Sequence, residues 1–93
     1  MYDRFLTRMQ GKIRTREYVV TLHARKEMND DSFTIYDVER GILSGKILER
    51  QRDLETGEAK YRIRGQTVEE SGIEIVAKLS PTGKLVVITV YAP

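Results

Sequence analysis

The sequence holds one histidine, His23, and no cysteine. Imidazole is the only side chain whose ordinary pKa suits proton transfer near neutral pH, so His23 is the natural candidate for acid–base chemistry. A second candidate grouping is cationic. Lys60, Arg62 and Arg64 alternate with Tyr61 and Ile63, Lys78 takes the same phase in a later stretch, and Thr89 and Tyr91 lie in the last. On one open face these groups would hold phosphates through the cations and stack a base on the phenol ring. Each also has a plainer reading. A histidine in the first turn of a helix often only bonds a backbone carbonyl or water, and a one-sided antiparallel sheet shows charged residues to solvent whatever it binds. The adjacent pairs Asp30 with Asp31 and Glu69 with Glu70 have no convergent partner and mark loops rather than an acid/base pair or a metal site. No Walker loop, dinucleotide fingerprint or nucleophile-elbow motif occurs, which leaves nucleotide hydrolysis, hydride transfer and serine hydrolysis without support.

Length and composition narrow the classes further. The 93 residues, 40% apolar and 32% charged, suit one domain over residues 1–93, since a second core would need roughly 50 more residues. Without cysteine there is no disulfide framework or thiolate nucleophile, and a single histidine excludes the usual His/Cys metal cluster. Neither a metal nor a cofactor is implied. No apolar run approaches the roughly 20 residues of a membrane span, and Met1 to Arg16 lacks the apolar stretch of a signal peptide, so the expectation is a cytoplasmic protein with no membrane partner. The net charge of +2 hides bands of opposite sign. Arg4, Arg8, Lys12, Arg14 and Arg16 face only Asp3, an acidic band runs from Glu27 to Glu39, and Lys46, Arg50, Arg52, Lys60, Arg62 and Arg64 then restore positive charge, diluted by Glu49, Asp53, Glu55 and Glu58. Such a pattern suits a polyanion-binding surface if folding gathers the cations, and a solvated mixed surface otherwise.

The elements that must position these groups follow from periodicity. Phe5, Leu6, Met9 and Ile13 share one face of a helix over Tyr2 to Ile13, with Arg4, Arg8 and Lys12 as a basic ridge beside it. Glu17 to Thr21 is rich in β-formers, and Thr21 then caps a helix through Leu22, His23, Ala24 and Met28. Thr34 and Asp37 are spaced as a capping box for a helix that ends at Gly45. Beyond it the period becomes two, predicting strands at 46–52, 60–65, 73–79 and 85–91. Their connections are too short for crossover helices, so successive strands pair antiparallel. The fold class is α+β: a small antiparallel meander with two to three N-terminal helices on one face. Alternation puts Tyr61, Ile63, Ile73, Ile75, Ala77 and Leu79 under the helices. In the last strand it puts Val86, Ile88 and Val90 there too, turning Leu85, Val87, Thr89 and Tyr91 to the cationic side.

Four segments carry a family resemblance: Val20 to Met28 with its His23-Ala24 step, Thr34 to Glu39, Gly45 to Glu49, and Val87 to Tyr91. Together they span about residues 18–92 and resemble a widespread group of small bacterial domains that is similar to the RelE/ParE-like toxins, related to BrnT. The resemblance implies a RelE-like fold, a cognate antitoxin as partner, RNA as target, and metal-independent cleavage. His23 would transfer the proton, Arg62, Arg64 and Lys78 would hold the phosphate, and Tyr91 would stack a base or donate a proton. Glu27 departs from the motif, which has arginine before the methionine. The N-terminal helix lies outside the resemblance and is open to three roles: an RNA-binding ridge, a homodimer contact or core cover. The alternatives to a ribonuclease are a non-catalytic RNA- or protein-binding module on the same fold and a purely structural partner-binding protein.

Overall fold

The computed structural model describes residues 2–93, which run α1 (Asp3–Arg14), β1 (Tyr18–Val20), α2 (Leu22–Asp30), α3 (Ile35–Ser44), β2 (Lys46–Arg52), β3 (Ala59–Gln66), β4 (Gly72–Leu79) and β5 (Leu85–Tyr91). The expected capping box opens α3: Asp37 N–H donates to Thr34 Oγ1 at 3.2 Å and Thr34 N–H to Asp37 Oδ2 at 2.9 Å. These bonds satisfy amides that the first helical turn leaves free. Two other helices stop without glycine. Arg16 N–H reaches Ile13 O and Glu17 N–H reaches Lys12 O after α1, while Ser32 N–H reaches Asn29 O and Phe33 N–H reaches Met28 O after α2. Both are Schellman endings, with Arg16 (φ 59°) and Ser32 (φ 60°) in the left-handed conformation.

The sheet order is β1-β5-β4-β3-β2. From β2 to β5 it is the antiparallel meander that the short turns predict, but β1 adds a parallel edge, with Tyr18 opposite Leu85 and Val20 opposite Val87. The sheet is therefore mixed rather than purely antiparallel. No tight turn links β1 to β5; two helices and three strands intervene, so nothing forces the pair to run opposite ways. Tyr18 Oη also ties this edge to the helical layer by donating to Glu39 Oε2 at 2.5 Å.

Met9 and Ile13 of α1, Ala24 and Met28 of α2, and Val38 and Ile42 of α3 share one core with Tyr61, Ile63, Ile73, Ile75 and Ala77 of the sheet. All three helices thus cover one face, and α1 contributes Met9 and Ile13 to that cover. The assignment in β5 needs correcting. Leu85, Val87 and Val90 enter the core, not the alternating set Val86, Ile88 and Val90, because a bulge shifts the register between Val76 opposite Thr89 and Ala77 opposite Val87. One extra residue in a strand reverses the phase of all that follows.

Helix α3 meets β3 backbone to backbone. A Cβ placed on Gly65 would stand 2.0 Å from Gly41 O, and one on Gly45 would stand 2.4 Å from the same oxygen. Gly45 does terminate α3, but in an extended conformation (φ −92°, ψ −179°), so close approach and not a left-handed turn requires the glycine there. Among the described residues no helix is long and apolar enough to cross a membrane.

Candidate nucleic-acid interface

The face of the sheet away from the helices is read directly from the register. Lys46 stands opposite Arg64 and Glu49 opposite Arg62 across β2 and β3. Arg62 and Arg64 in turn oppose Val76 and Glu74, and Glu74, Val76 and Lys78 oppose Tyr91, Thr89 and Val86. Arg62, Arg64, Lys78 and Tyr91, four of the five expected site residues, therefore share one surface.

Two of those cations are already matched by carboxylates. Arg62 Nε lies 2.8 Å from Glu49 Oε1 and its Nη1 lies 2.7 Å from Glu74 Oε1, while Tyr91 Oη donates to the same Glu74 oxygen at 2.9 Å. Gln51 Nε2 adds a bond to Glu49 Oε1 at 2.9 Å, so one polar chain crosses β2, β3, β4 and β5. The Arg62 hydrogen bond holds the Glu74 carboxyl below its ordinary range against the opposing effect of burial, helped by Tyr91. Arg62 and then Gln51 hold Glu49 low as well. The two carboxylates, Glu74 first, push the Arg62 guanidinium further up, and burial followed by the Glu74 bond pushes the Tyr91 phenol up. Lys78 Nζ is 2.9 Å from Glu58 Oε2. The face is thus mixed in sign, not uniformly cationic.

Arg64 and Lys46 differ from these. They are directly opposed across the ladder, both exposed, and neither has an ion-pair partner among the described residues. Like charges in facing positions of a ladder repel, while on its other side Arg64 faces the Glu74 carboxylate. The ring of Tyr91, its hydroxyl fixed by Glu74, belongs to the same end of the face.

His23 is placed elsewhere. Thr21 caps α2 by accepting from Ala24 N–H at 3.1 Å and anchors itself to β5 by donating to Ile88 O at 3.3 Å. Because Ala24 and Met28 point into the core, α2 lies on the helical side of the sheet, and His23 beside them is exposed there. Its Nε2 is 3.3 Å from Glu27 Oε1. The same Glu27 oxygen accepts from Val90 N–H at 3.1 Å. Since β1 pairs only as far as Val87, Glu27 supplies an acceptor to the β5 edge that β1 leaves uncovered. The residue that departs from the expected arginine thus has a structural task. The imidazole and the sheet cations are on opposite sides of the strands, so proton transfer by His23 to a phosphate held by Arg62, Arg64 and Lys78 does not fit this geometry.

Glu49 and Glu74 are the members of the site that sequence reasoning left out. Their signal was phase: Glu74 alternates with the buried isoleucines exactly as far as Lys78 does, and pairing two polar phases across a hairpin brings opposite charges into register. Residues 20–92 match the family model described as a domain of unknown function (DUF4258). Neither the curated proteins nor the solved structures give a match.

Proposed function

The chain belongs to the DUF4258 family, and we propose that it is an RNA-binding protein of the toxin type, with a RelE-like arrangement and a cognate antitoxin as its protein partner. The observation that carries this reading is the unpaired, like-charged couple Lys46 and Arg64 on the open sheet face. A phosphodiester backbone crossing that corner relieves their repulsion, and the Tyr91 ring, in the same row but on the far side of Glu74, offers a sequence-tolerant stacking surface. The internally paired Arg62 contributes order to the surface rather than free charge. Binding of a labelled single-stranded RNA should weaken steeply with salt. Lys46→Ala and Arg64→Ala should each lower the slope of log K against log salt by about 0.7, the share of one phosphate contact. Wild-type slopes in both variants would remove the interface from this corner.

A second reading, metal-independent endoribonuclease action, is favoured by the His23–Glu27 pair. An exposed imidazole with Nε2 3.3 Å from a carboxylate that is itself anchored to Val90 N–H is a candidate general base. It would take the proton of a ribose 2′-hydroxyl as the 2′-oxygen attacks the adjacent phosphorus, giving a 2′,3′-cyclic phosphate, and the 5′-oxygen departs as a hydroxyl with a proton from water. On this geometry the reaction is separate from Arg62. Wild-type protein incubated with RNA in EDTA should then cleave it, His23→Ala should not, and Arg62→Ala should. Intact RNA with the wild type leaves binding as the function.

A further inference from the structure

A cavity of about 330 Å³ opens between α1, the β2–β3 hairpin and the turn joining β4 to β5, on the side of the sheet where Tyr61 packs under α1. Its charged members are Arg8 of α1, Arg50 of β2 and Glu58, which precedes β3. Arg50 turns this way because of a second bulge. The register of β2 shifts between Ile47 and Glu49, which sets Glu49 opposite Arg62 on the open face and Arg50 opposite the buried Tyr61. Without that extra residue, simple alternation from Ile47 would point Glu49 toward the helices and Arg50 away from them. Bulges at a sheet edge commonly re-aim one side chain in this manner.

Apart from Glu58 and Ser80, the rest of the lining is aromatic or aliphatic. Phe5 stacks on Tyr61 with centroids 5.1 Å apart and planes 26° from parallel, and Tyr2 packs edge-on against the same ring at 6.1 Å. Leu79 and Pro81 complete the wall. The only carboxylate at the rim among the described residues, Glu58, is matched by Lys78 at 2.9 Å. Arg8 and Arg50 are both exposed and have no ion-pair partner among the described residues. Two unmatched guanidinium forks over an aromatic and aliphatic floor combine the donors a phosphate needs with the surface a nucleobase needs. Phe5 and Arg8 lie before residue 20, so two of the nine lining residues, one of the two arginines among them, come from the helix outside the matched family region.

We propose that this cavity binds a nucleoside 5′-phosphate, either free or at the 5′ end of an RNA strand, with Arg8 and Arg50 on the phosphate and the base against the Phe5 side. The assignment does not depend on the open sheet face. Titrating the protein with uridine and adenosine 5′-monophosphate, followed by amide and arginine Nε–H resonances, should shift the signals of Arg8, Arg50 and residues 79–81. Arg8→Ala and Arg50→Ala should each weaken the nucleotide by about tenfold or more, as expected for a lost charged hydrogen bond. Arg64→Ala should leave it unchanged. Two RNA oligonucleotides of one sequence, with and without a 5′-phosphate, separate the sources: preference for the phosphorylated one assigns the cavity to RNA ends, and equal binding alongside tight free nucleotide assigns it to the mononucleotide. Inorganic phosphate binding as tightly as the nucleotides, shifts confined to the sheet face, or no binding of any nucleotide overturns the proposal.

Discussion

Gly65→Ala should destabilise the protein by at least about 4 kcal/mol, a large fraction of its stability. The new Cβ would lie 2.0 Å from Gly41 O, 2.8 Å from Gly41 C and 3.0 Å from Gly41 Cα, all of them backbone atoms in the middle of α3. A flexible side chain could swing aside; a helix can only translate. Moving α3 off β3 opens the core where Val38 and Ile42, both fully buried, meet Ile63. A domain of this size holds only roughly 5–10 kcal/mol in total, so the loss is about two fifths to four fifths of it. Gly11 is the internal comparison, because a Cβ there meets nothing within 4 Å and the residue sits inside α1. Gly11→Ala should therefore stabilise by about 0.5–1 kcal/mol from helix propensity alone. Urea denaturation followed by circular dichroism measures both. A Gly65→Ala midpoint close to wild type would show that α3 and β3 are not in the contact described.

The parts of this fold that are legible in the sequence are those governed by local pattern. The Thr34–Asp37 capping box, the period-two stretches that become β2 to β5, and the Thr21 cap before His23 all follow from spacing alone. What escapes is set by pairing. The bulge at Ile88 is invisible to alternation, so Leu85 and Val87 fall on the wrong side while Thr89 and Tyr91, beyond the extra residue, fall on the right one. The ends of α1 and α2 carry no glycine because Arg16 and Ser32 take the left-handed position themselves. Site residues divide the same way. Arg62, Arg64, Lys78 and Tyr91 share a face because phase along a strand is local. That Arg62 is neutralised, and that His23 is on the far side of the strands, depends on which strands are neighbours and on which face α2 packs.

Glu74→Ala tests the polar chain across the sheet and should cost about 1–3 kcal/mol, the scale for leaving hydrogen-bonding groups without their acceptor at a partly buried site. Glu74 is only 6% exposed, and the change strips Arg62 Nη1 and Tyr91 Oη of their shared acceptor in a single step. The dependence on pH has a definite sign. Folding lowers the pKa of Glu74, chiefly through Arg62, so its contribution is complete above the unfolded-state value of about 4.3 and is lost as pH falls through the lower folded-state value. The stability gap between wild type and Glu74→Gln should accordingly be widest near neutrality and close on acidification below about pH 4, although Glu49, Asp37 and Asp53 keep wild-type stability falling over the same range. A gap that stays constant down to about pH 2.5 would mean that the carboxylate form adds nothing to folding. The same substitution acts in the opposite direction on RNA. Removing one negative charge frees an arm of Arg62 beside Arg64 and Lys46, so Glu74→Gln should bind RNA more tightly while folding less stably. Weaker binding by a folded Glu74→Gln protein would place the RNA on some other surface.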